Sequence, residues 1–193
     1  RKEAARDLGR LHVHNKNDST KREKKIKNKM ESILLKMSLI RIRAGSRPFH
    51  FIYFDKGGDY YNERKILDKL KPDGLEYKAF GQTRMVEKKG FRFENEPADF
   101  ADAEDAILTA EKWMKKRLDL MILDEINTTV KTGLLKVEKI VNLLGQKPAH
   151  LELILTGRYA PDEVLKFGDL ITEMTMVKHY MSEGIPARKG IEF

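Results

Sequence analysis

From residue 49 onward, short apolar runs alternate with longer stretches whose apolar positions recur every three or four residues. Phe49-His50-Phe51-Ile52-Tyr53-Phe54 reads as a strand buried on both faces, broken sharply by Asp55-Lys56-Gly57-Gly58. Residues 102–117 predict a helix with Ala106, Ala110, Trp113 and Met114 inward. Residues 118–123 predict a short buried strand that ends in Asp124-Glu125. Residues 134–144 read as a helix with Val137, Ile140, Val141 and Leu144 on one stripe and Gly145 as its C-cap. A strand at 151–155 is closed by Thr156-Gly157-Arg158, then come a short helix at 162–167 and a last strand at 170–177. Upstream, 11–14 has the look of a strand. Met30, Ile33, Leu34, Met37 and Ile40 lie at helical spacing, with Gly45 and Pro48 as terminators. Strands separated by helices of this length give βαβ units, hence an α/β fold with a mostly parallel sheet covered by helices on both faces. There is no internal repeat.

Composition narrows the chemistry. The 193 residues suit a single domain, and 40% hydrophobic against 35% charged residues allows a real core in a soluble chain. The absence of cysteine excludes disulfides, thiolate zinc sites and a cysteine nucleophile. No apolar run reaches the ~18 residues of a membrane span and no secretory signal opens the chain, so a cytoplasmic location is expected. The net charge of +8 suggests nucleic acid until it is divided along the chain. Residues 1–48 hold 15 Lys/Arg against 5 Asp/Glu, and residues 49–193 hold 23 against 25. The basic character belongs to one end, which argues against a basic ATPase-like module that tracks nucleic acid with its folded surface.

Ligands of parallel sheets bind at the carboxyl ends of the strands. Asp124-Glu125 at such an end has the form of a Walker B element, where a carboxylate serves a nucleotide-bound Mg²⁺. Acids where a strand simply meets water are the alternative. Arg158, after the next strand, and Lys56, after the first, are placed to reach phosphate oxygens or to sit as surface cations beside glycine turns. In Lys89-Gly90-Phe91-Arg92-Phe93, two rings stand in a polar stretch. They read either as a short edge strand packed on the core or as a loop offering aromatic faces to a large flat ligand.

Taken in order, Phe54-Asp55-Lys56-Gly57-Gly58, Asn62-Glu63-Arg64, Gly90-Phe91-Arg92-Phe93, Leu123-Asp124-Glu125-Ile126-Asn127, Thr156-Gly157-Arg158-Tyr159-Ala160-Pro161 and Ala187-Arg188-Lys189-Gly190-Ile191-Glu192-Phe193 resemble the P-loop type ATP:cob(I)alamin (corrinoid) adenosyltransferases. A fragment at 8–13 adds to the match. The resemblance implies one RecA-like P-loop domain over 1–193, a homodimer, and transfer of the 5′-deoxyadenosyl group of ATP to the cobalt of a reduced corrinoid such as cobalamin. It implies Mg²⁺ (or Mn²⁺) as cofactor and a reductant protein such as a flavodoxin as partner. By the same resemblance Phe91 and Phe93 lie against the lower face of the corrin and exclude its axial ligand. Asp124 and Glu125 serve the metal, and Lys56, Glu63, Asn127 and Arg158 serve the nucleotide.

One part of the family pattern is missing. The strand at 11–14 should lead into a glycine-rich Walker A loop, whose backbone N–H groups converge on phosphate. Residues 15–25 contain no glycine, and the stretch 15–47 is basic and about ten residues too long. Purine-rich codons for a Gly-Lys loop, read one base out of frame, give this Lys, Arg, Glu and Asn composition. A corrinoid-binding relative without ATP use is the alternative.

Overall fold

The computed structural model describes residues 49–58, 61, 63–86 and 90–185. The expected strand at 11–14, the helix across 30–40, the anomalous stretch 15–47 and the closing motif at 187–193 lie outside the described residues.

The elements in chain order are β1 (Phe49–Tyr53), α1 (Glu63–Leu70), β2 (Leu75–Ala79), β3 (Met85–Val86), β4 (Gly90–Phe91), α2 (Pro97–Met114), β5 (Leu120–Asp124), α3 (Ile126–Lys131), α4 (Val137–Gly145), β6 (Glu152–Leu155) and α5 (Asp162–Leu165). A four-stranded sheet runs in the order β2-β1-β5-β6, every pair parallel, with Phe49 opposite both Leu75 and Leu120. β3 and β4 form a separate antiparallel hairpin, Met85 facing Phe91.

The nearly continuous apolar runs of β1 and β5, buried at every position, are explained by cover on both sides. Ile52, Phe54, Met121, Leu123 and Leu155 pack with Ala103, Ala106, Ala110 and Trp113 of α2 and Ile140 and Leu143 of α4. The alternate residues Phe49, Phe51, Tyr53, Leu120, Ile122 and Ile154 cluster with Leu67 of α1. Each such burial removes apolar area worth about 1.5–3 kcal/mol from water. A period of two thus gives each strand two cores, as a parallel sheet requires.

Several boundaries differ from the sequence expectation. α2 begins five residues earlier, at Pro97, because Glu96 and Asp99 form a reciprocal capping box and proline suits the first helical turn. The helix expected at 134–144 starts only at Val137. Leu134 and Leu135 are buried in a turn, and Leu143 rather than Val141 faces the core. Gly145 is the last helical residue, and Gln146, in the right-handed region, is the cap. Residues 170–177 are not a strand: they run irregularly, with only Met176 buried. Their alternating, β-branched composition fits a pleated surface, but strand formation needs a ladder partner, and among the described residues none pairs with them. α1, β2, β3 and α3 have no counterpart in the sequence expectation. Of these, β2 had a readable signal: Pro72-Asp73-Gly74 turns the chain, with Gly74 at φ 91°, into the alternating Leu75-Glu76-Tyr77.

Candidate functional site

Three parallel strands end side by side, and each exit is sharply bent. Asp55 after β1, Glu125 after β5 and Tyr159 after β6 have φ of 51°, 63° and 58°, in the left-handed region that side chains avoid. Such strain, about 1–3 kcal/mol each, persists where surrounding contacts enforce it. Here the enforcing contacts are visible. Lys56 N–H donates to Phe80 O (2.9 Å), and a Cβ on Gly57 would overlap the carbonyl of Gly81, so the ends of β1 and β2 meet backbone to backbone. At β6, Gly157 has φ 125°, and a Cβ there would lie 2.9 Å from Thr128 N.

The chemistry sits in this cradle. Asp124, 3% exposed, closes β5. Its Oδ2 accepts from the ammonium of Lys56, itself 1% exposed, and its Oδ1 accepts from Thr156 Oγ1 at 2.6 Å. The same Thr156 hydroxyl accepts the N–H of Glu125 at 2.9 Å. Thr128 repeats the arrangement one layer out: its hydroxyl donates to Glu125 Oε2 (2.5 Å) and accepts Arg158 N–H (3.0 Å). Asn127 is 2% exposed, its N–H donates to Thr156 O at 3.1 Å, and its side-chain Oδ1 makes no hydrogen bond. A buried amide oxygen left without a donor costs about 1–3 kcal/mol and marks a place built for something else.

Lys56, Asp124, Glu125, Asn127 and Arg158, all singled out from sequence, therefore meet at one edge of the sheet. Glu63 opens α1, with Oε1 buried and unbonded. Thr156 and Thr128 were missed, because lone threonines carry no sequence signal. Arg64 shapes the Lys56 loop: its guanidinium donates to Gly58 O (2.6 Å) and to Lys56 O, and lies 4.8 Å and 5.4 Å from the ring centres of Tyr61 and Tyr53.

The aromatic pair divides. Phe91 is in the hairpin strand β4, its side chain outside the described ones. Phe93 is in the loop beyond, 80% exposed. Residue 91 thus lies in a strand and residue 93 in a loop. The following loop is tied down: Arg92 reaches Asp99 through two bonds of 2.6 and 3.0 Å, and Asn95 Nδ2 donates to Thr132 O at 2.7 Å. The Arg92 guanidinium holds the Asp99 carboxyl below the usual carboxylate range.

A parallel sheet whose acid-ended central strand sits between a lysine loop and a glycine-arginine turn defines an α/β protein of P-loop-like type. The family model for ATP:corrinoid adenosyltransferase BtuR/CobO/CobP matches residues 37–193, and the chain belongs to that family. It is 30% identical over 159 residues to a corrinoid adenosyltransferase of a Sinorhizobium species, covering 80% of this chain and 71% of that one. A corrinoid adenosyltransferase of Pseudomonas aeruginosa is 30% identical over 145 residues, with 74% and 68% covered. The corrinoid adenosyltransferase CobA of Salmonella typhimurium is 29% identical, with 74% and 69% covered.

Proposed function

We propose that this chain transfers the 5′-deoxyadenosyl group of ATP to the cobalt of a reduced corrinoid. The observation that carries the reading is the convergence of Lys56, Asp124, Glu125, Asn127 and Arg158 at the carboxyl edge of one parallel sheet, with Phe93 exposed on the neighbouring loop. The lone pair of Co(I) attacks the ribose C5′, the C5′–O bond breaks, and triphosphate leaves with its electrons. No proton moves from the nucleophile, so the residues contribute position and charge rather than general-base work. Lys56 and Arg158 serve the negative triphosphate, and Asn127 Oδ1 is an acceptor for the nucleotide. Phe91 and Phe93 form a dry wall under the corrin, which disfavours an axial donor and eases reduction of the cobalt.

The donor set at the end of β5 suits Mg²⁺. Asp124 and Glu125 offer hard oxygens, and this ion takes one or two carboxylates together with substrate phosphates. Among the described residues no group of three ligands forms a protein-only cage. When bound, the metal would neutralise charge on the phosphates. The Lys56 ammonium already lies on Asp124 Oδ2, so this lysine and a cation compete for one carboxylate oxygen. A reductant such as a flavodoxin, a homodimer and a cytoplasmic setting complete the reading. No helix among the described residues is long and apolar enough to cross a membrane.

A second reading, corrinoid binding without ATP use, is favoured by the glycine-free stretch 15–25. Calorimetry with ATP, with and without Mg²⁺, beside visible spectroscopy of bound cobalamin separates the two. Micromolar Mg²⁺-dependent ATP binding supports transfer. Cobalamin binding without ATP binding supports the second reading, and binding of neither overturns both.

A further inference from the structure

Arg84, the residue immediately before β3, has a side chain only 5% exposed. Its Nε and Nη2 both donate to Asp55 Oδ1, at 2.9 and 2.8 Å. Nη1 donates to Glu94 O at 3.0 Å, and Nη2 also to Asn95 Oδ1 at 3.0 Å, with Asp99 Oδ2 at 3.8 Å. Its carbonyl accepts Arg92 N–H at 2.8 Å, closing the base of the hairpin. One guanidinium thus touches the residue before Lys56 on one side and the residues after Phe93 on the other. Asp55 is the left-handed residue that sets the direction of the Lys56 loop.

We infer that Arg84 is a positioning residue that couples the two halves of the site, fixing the aromatic loop at 91–95 to the phosphate-facing loop at 55–58 through Asp55. The inference rests on the corrinoid reading above and deepens it. A planar fork with fixed donors holds two loops in one relative orientation, and a lysine, a single point charge, does not. The coupling matters because the distance from the corrin wall to the nucleotide decides whether cobalt faces C5′.

The test uses the full chain with cob(II)alamin and Mg-ATP, reading the fraction of bound cobalt in the four-coordinate state by its visible spectrum at saturating corrinoid. That fraction belongs to bound protein, so partial unfolding does not change it. Arg84→Gln and Arg84→Lys are expected to lower the four- to five-coordinate ratio at least about tenfold, the size of one lost charged hydrogen bond. Asp55→Asn is expected to do the same, and the Asp55→Asn, Arg84→Gln double variant no more than either alone, because the two act as one unit. The double variant and Arg84→Lys also carry the test if an unpaired buried charge prevents Arg84→Gln from folding. A parent chain with the four-coordinate signal and variants indistinguishable from it overturns the inference alone. A parent that never shows the signal, with Phe93→Ala equally silent, overturns the corrinoid reading and the inference with it.

Discussion

The two ends of the sheet are built on opposite principles. At the carboxyl end, a lysine and an aspartate are buried together, three side-chain-bearing residues are held in the left-handed region, and an amide oxygen goes unbonded. At the amino end, β1 and β2 carry an ion-pair cluster as well, but its acid is open to water. Glu76 accepts from Lys116 at 2.8 Å and meets His50 Nε2 at 3.0 Å, with about half of its side chain exposed. His50 packs edge-on against Trp113 at 4.4 Å. The amino end joins elements, and the acid of its cluster is open to solvent, although His50 Nδ1 is buried there without a hydrogen bond. The carboxyl end gathers three left-handed residues and a buried ion pair, features that accord with the proposed ligand site.

The contrast yields a graded set of outcomes. Lys56→Met should be the most damaging, because it leaves Asp124 buried with only a hydroxyl donor. Removing one partner of a buried pair costs about 3–5 kcal/mol, read as a drop in the urea midpoint at unchanged slope. An effect near zero would mean that the ammonium is not buried on Asp124.

Gly157→Ala comes next, at about 1–3 kcal/mol by the same assay, since φ 125° is closed to a side chain and the new Cβ would press on Thr128 N. Loss of nucleotide binding beyond the loss of folded protein would place Arg158, the next residue, at the phosphate. Asp124→Asn should weaken nucleotide binding chiefly when Mg²⁺ is present, as calorimetry would show. Equal loss with and without metal would make Asp124 structural.

At the amino end the effects shrink. Burial pushes the His50 imidazole below its ordinary value, with Glu76 and Lys116 acting in opposite directions. The unfolded chain therefore takes up the proton first. Stability is full above about pH 6.5 and declines as pH falls from there toward the lower native value. The melting temperature of the parent should slope downward across this window, and His50→Gln should flatten it. Glu76→Gln is the mildest change, under about 1 kcal/mol, because exposed pairs are screened by water and salt. A loss comparable to that of Lys56→Met would erase the distinction between the two ends.

Much of this architecture is legible in order along the chain. The runs at Phe49–Tyr53 and Leu120–Asp124 are apolar except at His50 and Asp124 and buried at every position, and only a strand covered on both sides needs that. The acids, lysine and arginine that follow the strands fall where the ladder stops, so strand assignment alone gathers them at one edge. The Gly90-Phe91-Arg92-Phe93 segment is ambiguous for a physical reason: the ladder ends after Phe91, and alternation cannot report where a hairpin ends.

Local sequence thus determined the type of β1, β5, β6, α2 and α4, the parallel arrangement implied by their spacing, and which charged groups stand at the strand ends. Each of those follows from periodicity and from solvent meeting the chain where a strand finishes. Tertiary structure alone decided the pairings. Arg84 and Asp55 are 29 positions apart, and Lys56 and Asp124 are 68 apart. Nothing local tells a cation which carboxylate will share its burial. It also decided the fate of 170–177, whose pattern suits a strand but which meets no ladder among the described residues. Hydrogen bonds between strands, unlike those within a helix, exist only once a distant segment has arrived.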